Sequence, residues 1–97
     1  MHVRVTSVQI QPGKVDDAIH LYEESIAPAA KQQRGFRSTM LLTDRASGKG
    51  MAITVWDSEA DLTASEASGY YQEQLAKIAP LLTASPQREV YEVTVTA

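Results

Sequence analysis

The sequence contains no cysteine. This absence excludes catalytic thiolates, disulfides, thiolate zinc sites and iron–sulfur clusters. It agrees with a reducing compartment, and we expect a cytoplasmic protein. No apolar run approaches the ~18 residues that a membrane helix needs, and the amino-terminal residues are polar and alternating. We therefore expect no membrane contact and no targeting segment.

Positive charge is scarce and scattered. Nine Lys and Arg stand against twelve Asp and Glu, which gives a net charge of -3, and the basic residues are spread along the chain. A nucleic-acid backbone requires a basic patch, so we expect no nucleic-acid partner. Glycine is also sparse. The close pair Gly48 and Gly50 lies in a predicted turn, so no glycine-rich phosphate loop is present.

The most informative segment that is present is a strand that runs directly into a capped helix. Residues 51–56 alternate between two faces, and the period changes abruptly at Asp57. Ser58 is the predicted N-cap of a helix that extends to about Ala67, and Asp61 is the reciprocal acceptor of a capping box. The pattern predicts the third strand of a sheet and the helix that follows it.

Five further segments have clear periodicity. Strands are predicted over residues 3–10, 36–43 and 88–96, and a hairpin loop over 44–50 joins the second strand to the third. A helix starts at Val15 and ends at Gly35. Within it Pro28 removes a backbone donor, which predicts a kink or a break. A last helix, on which Tyr71, Leu75 and Ile78 share a face, ends or kinks at Pro80.

These elements follow the order β-α-β-β-α-β, an α+β fold of the ferredoxin-like type in a single domain over residues 1–97. Both helical layers then cover one face of an antiparallel sheet. The third strand nevertheless carries apolar residues on both faces, with Met51, Ile53 and Val55 opposite Trp56. Because neither face suits water, we expect a homodimer in which two sheets pack face to face.

Short motifs spread over residues 3–95 form a recognisable combination. They are Pro12-Gly13-Lys14 before the first helix, Pro28 within it, Gly35-Phe36 at the second strand, Val55-Trp56-Asp57-Ser58 with Leu62 after the third, Tyr70-Tyr71, and Val90-Tyr91-Glu92-Val93. Together they resemble the antibiotic-biosynthesis-monooxygenase-like (ABM) domains of the dimeric α/β-barrel superfamily. The resemblance implies a homodimer with a pocket between sheet and helices in each subunit.

The resemblance also limits the reactions that we expect. Family members include cofactor-independent oxygenases of quinols or polycyclic phenols, haem-degrading enzymes and domains without a known role. The haem-degrading branch uses Asn, Trp and His at positions that align with Thr6, Ser65 and Leu75 here. All three ligands or catalytic groups are replaced, so we expect no haem degradation.

Candidate substrate-binding residues for such a pocket are Thr6, Tyr22, Trp56, Tyr71 and Arg37. Trp56 has an indole that can stack on an aromatic ring, although packing in the core is the simpler explanation. The two tyrosines lie on predicted buried helix faces, which suits pocket walls and a plain core alike. An inward-pointing Arg37 would stabilise an anionic substrate. For both Arg37 and Arg4 we favour exposed strand ends as the explanation.

Other catalytic groups are not indicated. His20 is flanked by Asp16 and Glu24 on what we predict to be a solvated helix face, so neither a general base nor a metal site is expected there. No Ser-His-Asp or Cys-His arrangement can be assembled. The sequence identifies no catalytic base.

The sequence therefore favours a monooxygenase that acts on a small aromatic or quinol-type substrate without a metal or organic cofactor. The alternative is a non-catalytic small-ligand-binding or stress-response dimeric barrel protein. RNA-recognition and regulatory amino-acid-binding domains share the element order, but Gly35-Phe36-Arg37-Ser38 lacks the second aromatic of the RNA motif. An oxygenase of this kind should contain a cavity of at least ~300 Å³ between sheet and helices.

Overall fold

The computed structural model describes all residues from 1 to 97. Its centre is a four-stranded antiparallel sheet in the order β2-β3-β1-β4. The strands are β1 (His2–Gln9), β2 (Phe36–Thr43), β3 (Lys49–Trp56) and β4 (Gln87–Glu92). With helical segments between β1 and β2 and between β3 and β4, the order confirms the predicted ferredoxin-like α+β fold.

The first helical layer runs on past its proline. It consists of α1 (Val15–Leu21), a π-helical turn (Tyr22–Ile26) and α2 (Ala27–Lys31). In the wider turn the backbone N–H of Ala27 donates to the carbonyl of Tyr22. Pro28 has no N–H to offer to the preceding turn, so the π-helical turn accommodates it and the helix continues.

Gly35 follows this helical layer and must be glycine for two reasons. Its φ of +80° lies in the left-handed region, and an added Cβ would lie 2.3 Å from the Asp61 side chain. The Gly35 carbonyl accepts a hydrogen bond from the N–H of Asp57 at 2.8 Å. This glycine therefore lets the start of β2 approach the start of the next helix.

The second helical layer consists of α3 (Glu59–Ala67), α4 (Tyr70–Ile78) and a short 3₁₀ turn (Ala79–Leu81). Ser58 is the N-cap of α3, as predicted, because its Oγ accepts the backbone N–H of Asp61 at 3.1 Å. The Ser58 hydroxyl in turn donates to Asp61 Oδ2 at 3.0 Å, so Asp61 accepts from the side chain of the cap and not from its backbone N–H, which the predicted capping box requires. Pro80 lies in the 3₁₀ turn that ends α4, which agrees with the prediction.

The last strand is shorter than predicted. It ends at Glu92, whereas the alternating pattern extends to Thr96. His2, the first residue of β1, pairs with Glu92, and only the Val93 N–H finds a further partner, the Met1 carbonyl at 2.9 Å. β4 lies at the edge of the sheet, so it ends where its only neighbouring strand ends.

The two faces of the sheet have different environments. The face toward the helices carries the buried Arg4, Thr6, Thr54 and Trp56. The main apolar cluster packs over the same face and contains Ile10, Val15, Ala18, Tyr22, Ile26, Ile78 and Leu82. The opposite face has no covering layer. Its exposed large apolar side chains are Met40 (51%), Leu42 (46%), Met51 (37%) and Tyr91 (53%).

None of the helices has the length and apolar character needed to cross a bilayer.

Candidate functional site

A mainly apolar cavity lies between the helix-facing side of the sheet and the helices, and it is partly open to solvent. Its volume is about 60 Å³, and ten of its fourteen lining residues are hydrophobic. The polar part of the lining comes from Arg4, Thr6, Thr54 and Gln74, together with the tyrosine hydroxyls. An apolar space with a few convergent polar groups is the usual form of a small-molecule site.

Arg4 is the only charged residue in the cavity wall. It alternates with Val3 and Val5 on β1, so its side chain points toward the helices and is only 4% exposed. Its Nη1 donates to Ser65 Oγ at 2.8 Å and to Glu66 Oε2 at 3.3 Å. Burial disfavours the charged guanidinium, so the pKa of Arg4 is lowered from its usual value, against the opposing effect of nearby Tyr71 and Glu66.

Two aromatic rings hold the Arg4 guanidinium. Its central carbon lies 3.9 Å from the ring centroid of Tyr71 and 5.4 Å from that of Trp56. Both distances are within the range of a cation–π interaction. Only Nη1 has hydrogen-bond partners among the protein groups, and neither Nε nor Nη2 is completely enclosed. The Nε and Nη2 donors of Arg4 are thus left without a partner in the protein.

Glu66 on α3 connects Arg4 to a second arginine. Its carboxylate accepts two hydrogen bonds from Arg88, at 2.7 and 2.8 Å, in addition to the longer contact with Arg4. The hydrogen bond with Glu66 raises the pKa of Arg88. Two guanidinium groups share one carboxylate, so this end of the cavity retains one net positive charge.

Thr6 and Tyr71 form a buried hydroxyl pair in the same wall. Their oxygen atoms are 2.8 Å apart, and Thr6 is 6% and Tyr71 8% exposed. Two hydroxyl groups joined by one hydrogen bond leave one O–H donor over.

A second group of hydroxyls includes those of Tyr22 and Thr54, which also line the cavity. The Tyr22 hydroxyl is 2.5 Å from Thr39 Oγ1, which is 2.9 Å from Thr54 Oγ1. Tyr22 belongs to the π-helical turn, whereas Thr39 and Thr54 are paired residues of β2 and β3. The sheet thus fixes the position of the Tyr22 ring over the cavity.

Tyr70 completes the polar lining at the start of α4. Burial raises the pKa of Tyr70 to about 12, although the charge of Arg4 acts in the opposite direction. Its phenol therefore keeps its proton at neutral pH and can only donate or accept hydrogen bonds there. No Asp, Glu or His lines the cavity.

Trp56 and Arg37 lie outside the cavity wall. Trp56 is completely buried, packs edge-to-face against Phe36 with 6.3 Å between centroids, and has an indole N–H without a partner. Trp56 contacts the site through Arg4, because its ring lies beside the Arg4 guanidinium. Arg37 is exposed and pairs with Asp57 at 3.0 Å. Of the five candidate residues, the structure brings Thr6, Tyr22 and Tyr71 together around the cavity.

His20 belongs to no cluster of metal-binding side chains. No group of three or more His, Asp or Glu residues lies close enough together to hold a metal ion.

Sequence reasoning missed the central residue of this site. An exposed strand end was the favoured explanation of Arg4, and it is wrong, because Arg4 is buried among Tyr71, Trp56 and Ser65. The available signal was parity: Arg4 lies two residues before Thr6 and therefore on the same sheet face. The same parity argument links Thr54 to Trp56.

The cavity is smaller than expected. Its volume of about 60 Å³ is well below the ~300 Å³ anticipated for an aromatic substrate. For comparison, an apolar cavity of ~150 Å³ binds benzene. In this conformation the space holds at most the reacting end of an aromatic ligand.

Comparisons with known proteins agree with this architecture. A monooxygenase from Streptomyces coelicolor, ActVA-Orf6, solved in complex with nanaomycin D, superposes with a TM-score of 0.83 at 15% identity, covering 99% of this chain and 89% of that one. SnoaB from Streptomyces nogalater, described as a cofactor-independent oxygenase, superposes with a TM-score of 0.77 at 17% identity, covering 98% and 94%. At such identities the likeness establishes the fold.

Comparison of sequences, in addition to the fold, identifies the family. Uncharacterized proteins from two Mycobacterium tuberculosis strains are 38% identical over 56 residues, which is 58% of this chain and 25% of those proteins. The chain spans about a quarter of the length of these curated relatives. The profile of the family "Antibiotic biosynthesis monooxygenase" (ABM) matches residues 1–77. This match covers more than three quarters of the sequence, and the chain therefore belongs to the ABM family.

Proposed function

We propose that this protein is a cofactor-independent monooxygenase of a small aromatic or quinol-type substrate, bound in the cavity between sheet and helices. The observation that carries the proposal is the buried Arg4, which lines an apolar cavity with N–H donors that no protein group uses. Family membership supports the reaction class, as does the likeness to the monooxygenase ActVA-Orf6 and to the cofactor-independent oxygenase SnoaB.

The charge of Arg4 suits a substrate that reacts as an anion. A quinol or phenol hydroxyl beside the guanidinium ionises more readily, because the positive charge stabilises the phenolate in a low-dielectric space. The electron-rich anion can itself reduce dioxygen, so the protein has only to hold it and limit its contact with water. The spare O–H of the Thr6–Tyr71 pair orients the same oxygen atom.

The cavity wall contains no carboxylate or imidazole to act as a general base. The proposed substrate is therefore one whose hydroxyl is already acidic, and Arg4 lowers its pKa further. Tyr70, with a pKa raised to about 12, stays neutral and serves as a hydrogen-bond donor.

The alternative is a ligand-binding protein without turnover. The small volume of the cavity and the lack of a base are the observations that favour it. An oxygen electrode separates the two functions when a panel of quinols and naphthols is tested in chelator-treated buffer. We expect oxygen consumption that depends on the protein and is lost in Arg4→Met. Saturable quenching of Trp56 fluorescence by the same compounds without oxygen consumption would support the alternative.

We also propose that residues 1–97 form one domain and that two copies associate through the uncovered sheet face. One main apolar cluster spans the helices and the sheet, which supports the single domain. Four large apolar side chains are exposed on the opposite face, which supports the homodimer. Sedimentation at micromolar concentration tests the association.

A further inference from the structure

Arg88 does not line the cavity, and Glu66 connects it to Arg4, which does. Arg88 belongs to β4, where it pairs with Thr6 of β1. Because the side chains of directly paired residues lie on the same face of a sheet, Arg88 is on the helix-facing side. It therefore meets Glu66 of α3 at the edge of the sheet, away from the uncovered face.

The carboxylate of Glu66 is held more closely by Arg88 than by Arg4. Arg88 donates from Nε to Oε2 at 2.7 Å and from Nη2 to Oε1 at 2.8 Å, so both carboxylate oxygens are engaged. Arg4 reaches only Oε2, at 3.3 Å, which is longer than the ~2.7–2.9 Å of a strong charge-assisted hydrogen bond. The bidentate pair fixes the plane of the carboxylate. Glu66 cannot turn to face Arg4 without breaking a bond to Arg88.

The three charges differ in their contact with water. The exposed fraction of the side chain is 5% for Arg4, 19% for Glu66 and 46% for Arg88. Water therefore screens the charge of Arg88 most and that of Arg4 least. A Glu66 carboxylate that faced Arg4 alone would neutralise the one charge in the cavity wall, and the cavity would lose most of its attraction for an anion.

We propose that Arg88 is a positioning residue: it holds the carboxylate of Glu66 back from Arg4 and thereby determines how strongly the cavity selects an anion over the neutral form of the same ligand. Ser65, the other partner of Arg4, cannot take over this role. Its hydroxyl is neutral and already donates to the carbonyl of Leu62 at 2.6 Å. The inference rests on the proposed function in one respect, that the ligand binds beside Arg4.

The test measures the pKa of bound 4-nitrophenol by its absorbance, because this pKa reports the preference for phenolate over phenol. In Arg88→Met the carboxylate is free to close on Arg4. We expect the phenolate preference to fall roughly tenfold, which appears as a rise in the pKa of the bound probe. Circular dichroism confirms that the variant is folded, and a purely structural role would lower its stability without changing the preference.

Arg45→Met is the matched control for the loss of one positive charge. Arg45 forms an exposed ion pair with Asp16 and lies in the loop between β2 and β3, outside the cavity wall. Its phenolate preference should equal that of the wild type. An equal fall in Arg45→Met and Arg88→Met would reduce the effect to net charge and overturn the positioning role.

Glu66→Gln separates positioning from the direct attraction of the Arg88 charge. The amide is neutral, so Arg4 keeps its full charge with or without Arg88. We expect Glu66→Gln to strengthen the phenolate preference and to abolish the effect of Arg88→Met in the double variant. A similar fall in both backgrounds would show that Arg88 acts through its own charge, and it would overturn the positioning role.

The results distinguish this role from the proposed function. Equal preferences in wild type and Arg88→Met contradict the role of Arg88 and leave the Arg4 site in place. A preference that depends on Arg88 without oxygen consumption supports the role and contradicts the oxygenase. A wild-type protein without any phenolate preference contradicts the anion site at Arg4 and the role of Arg88 together.

Discussion

The guanidinium of Arg4 stacks on the ring of Tyr71 at 3.9 Å, in the wall of an otherwise apolar cavity. The same ring bonds through its hydroxyl to Thr6, so one aromatic side chain positions both a cation and a hydroxyl pair. Glu66 accounts for only part of the Arg4 charge because Arg88 shares the carboxylate. This arrangement gives the cavity a fixed positive end, and the first prediction concerns that charge.

Replacement of Arg4 by methionine should abolish the preference for anionic ligands. Methionine retains the apolar stem, and Glu66 keeps its two bonds to Arg88, so no carboxylate is left without a partner. The probe is 4-nitrophenol, whose phenolate is coloured and which titrates near neutral pH. We expect the wild type to bind the phenolate at least ~10-fold more tightly than the phenol, a difference in binding free energy of about 1.4 kcal/mol.

Arg37→Met is the matched control for this experiment, because Arg37 is exposed and pairs with Asp57 away from the cavity. Its phenolate preference should equal that of the wild type. Equal preferences in wild type and Arg4→Met would show that Arg4 does not bind the anion.

The Thr6–Tyr71 hydrogen bond should show strong coupling in a double-mutant cycle. Either Thr6→Val or Tyr71→Phe leaves a buried hydroxyl without a partner, at a cost of about 1–3 kcal/mol in the free energy of unfolding. The double variant removes both hydroxyls and should cost less than the sum of the single changes. Urea denaturation measures all four proteins. Additive costs would mean that the two hydroxyls do not interact.

Most of the fold could be predicted from the sequence because local signals and the global arrangement agree. Ser58 sits between an alternating strand and a helical period, and it caps α3 as expected. The end of β4 could not be predicted, since alternation continues to Thr96 but pairing stops with the neighbouring strand at His2. The length of β4 depends on where β1 begins, and the sequence of β4 alone carries no information about that.

The site was predictable only in part. Tyr22 and Tyr71 follow from helical periodicity, and both line the cavity. The role of Arg4 depends on the Tyr71 ring and on Ser65, which lie more than sixty positions away in the sequence. Such contacts arise when α3 and α4 pack on the sheet, and composition favours an exposed arginine until that packing is known.

Ionisation of Tyr70 should lower the stability of the folded protein in strongly alkaline solution. Its pKa is raised from 10.0 to about 12, so the unfolded chain loses this proton before the folded protein does. The Tyr70 contribution to stability is therefore complete below pH 10 and declines as pH rises through about 12. Urea denaturation across this window should show a smaller decline in Tyr70→Phe than in the wild type. An equal decline in the free energy of unfolding of the two proteins would show that the Tyr70 hydroxyl is exposed to water and that its pKa is not raised.

Trp56 should respond differently to two truncations. Its ring is completely buried against Phe36 and Arg4, so Trp56→Ala should cost about 3–5 kcal/mol through lost contacts and a cavity. Trp56→Phe should cost much less, because a ring still fills most of the space and an indole N–H without a partner is removed. Denaturation followed by circular dichroism compares them, and equal costs would contradict this account of the packing.

The uncovered sheet face should hold two copies of the chain together, and Ile53 lies at its centre. In the register of the sheet Ile53 is opposite Val5 on β1 and Met40 on β2. Both neighbours point away from the helices, as do the exposed Leu42 and Met51. Because a lysine at this position would bury a charge between two sheets, Ile53→Lys should convert a dimer to a folded monomer.

Analytical ultracentrifugation at micromolar concentration measures the association, and circular dichroism confirms that the variant is folded. Gln72→Lys adds the same charge on the exposed side of α4, so it should sediment like the wild type. A wild-type protein that sediments as a 10.6 kDa monomer would contradict the dimer outright. If Ile53→Lys remains a dimer, the interface must lie on another surface. A buried lysine without a partner is incompatible with face-to-face packing at Ile53.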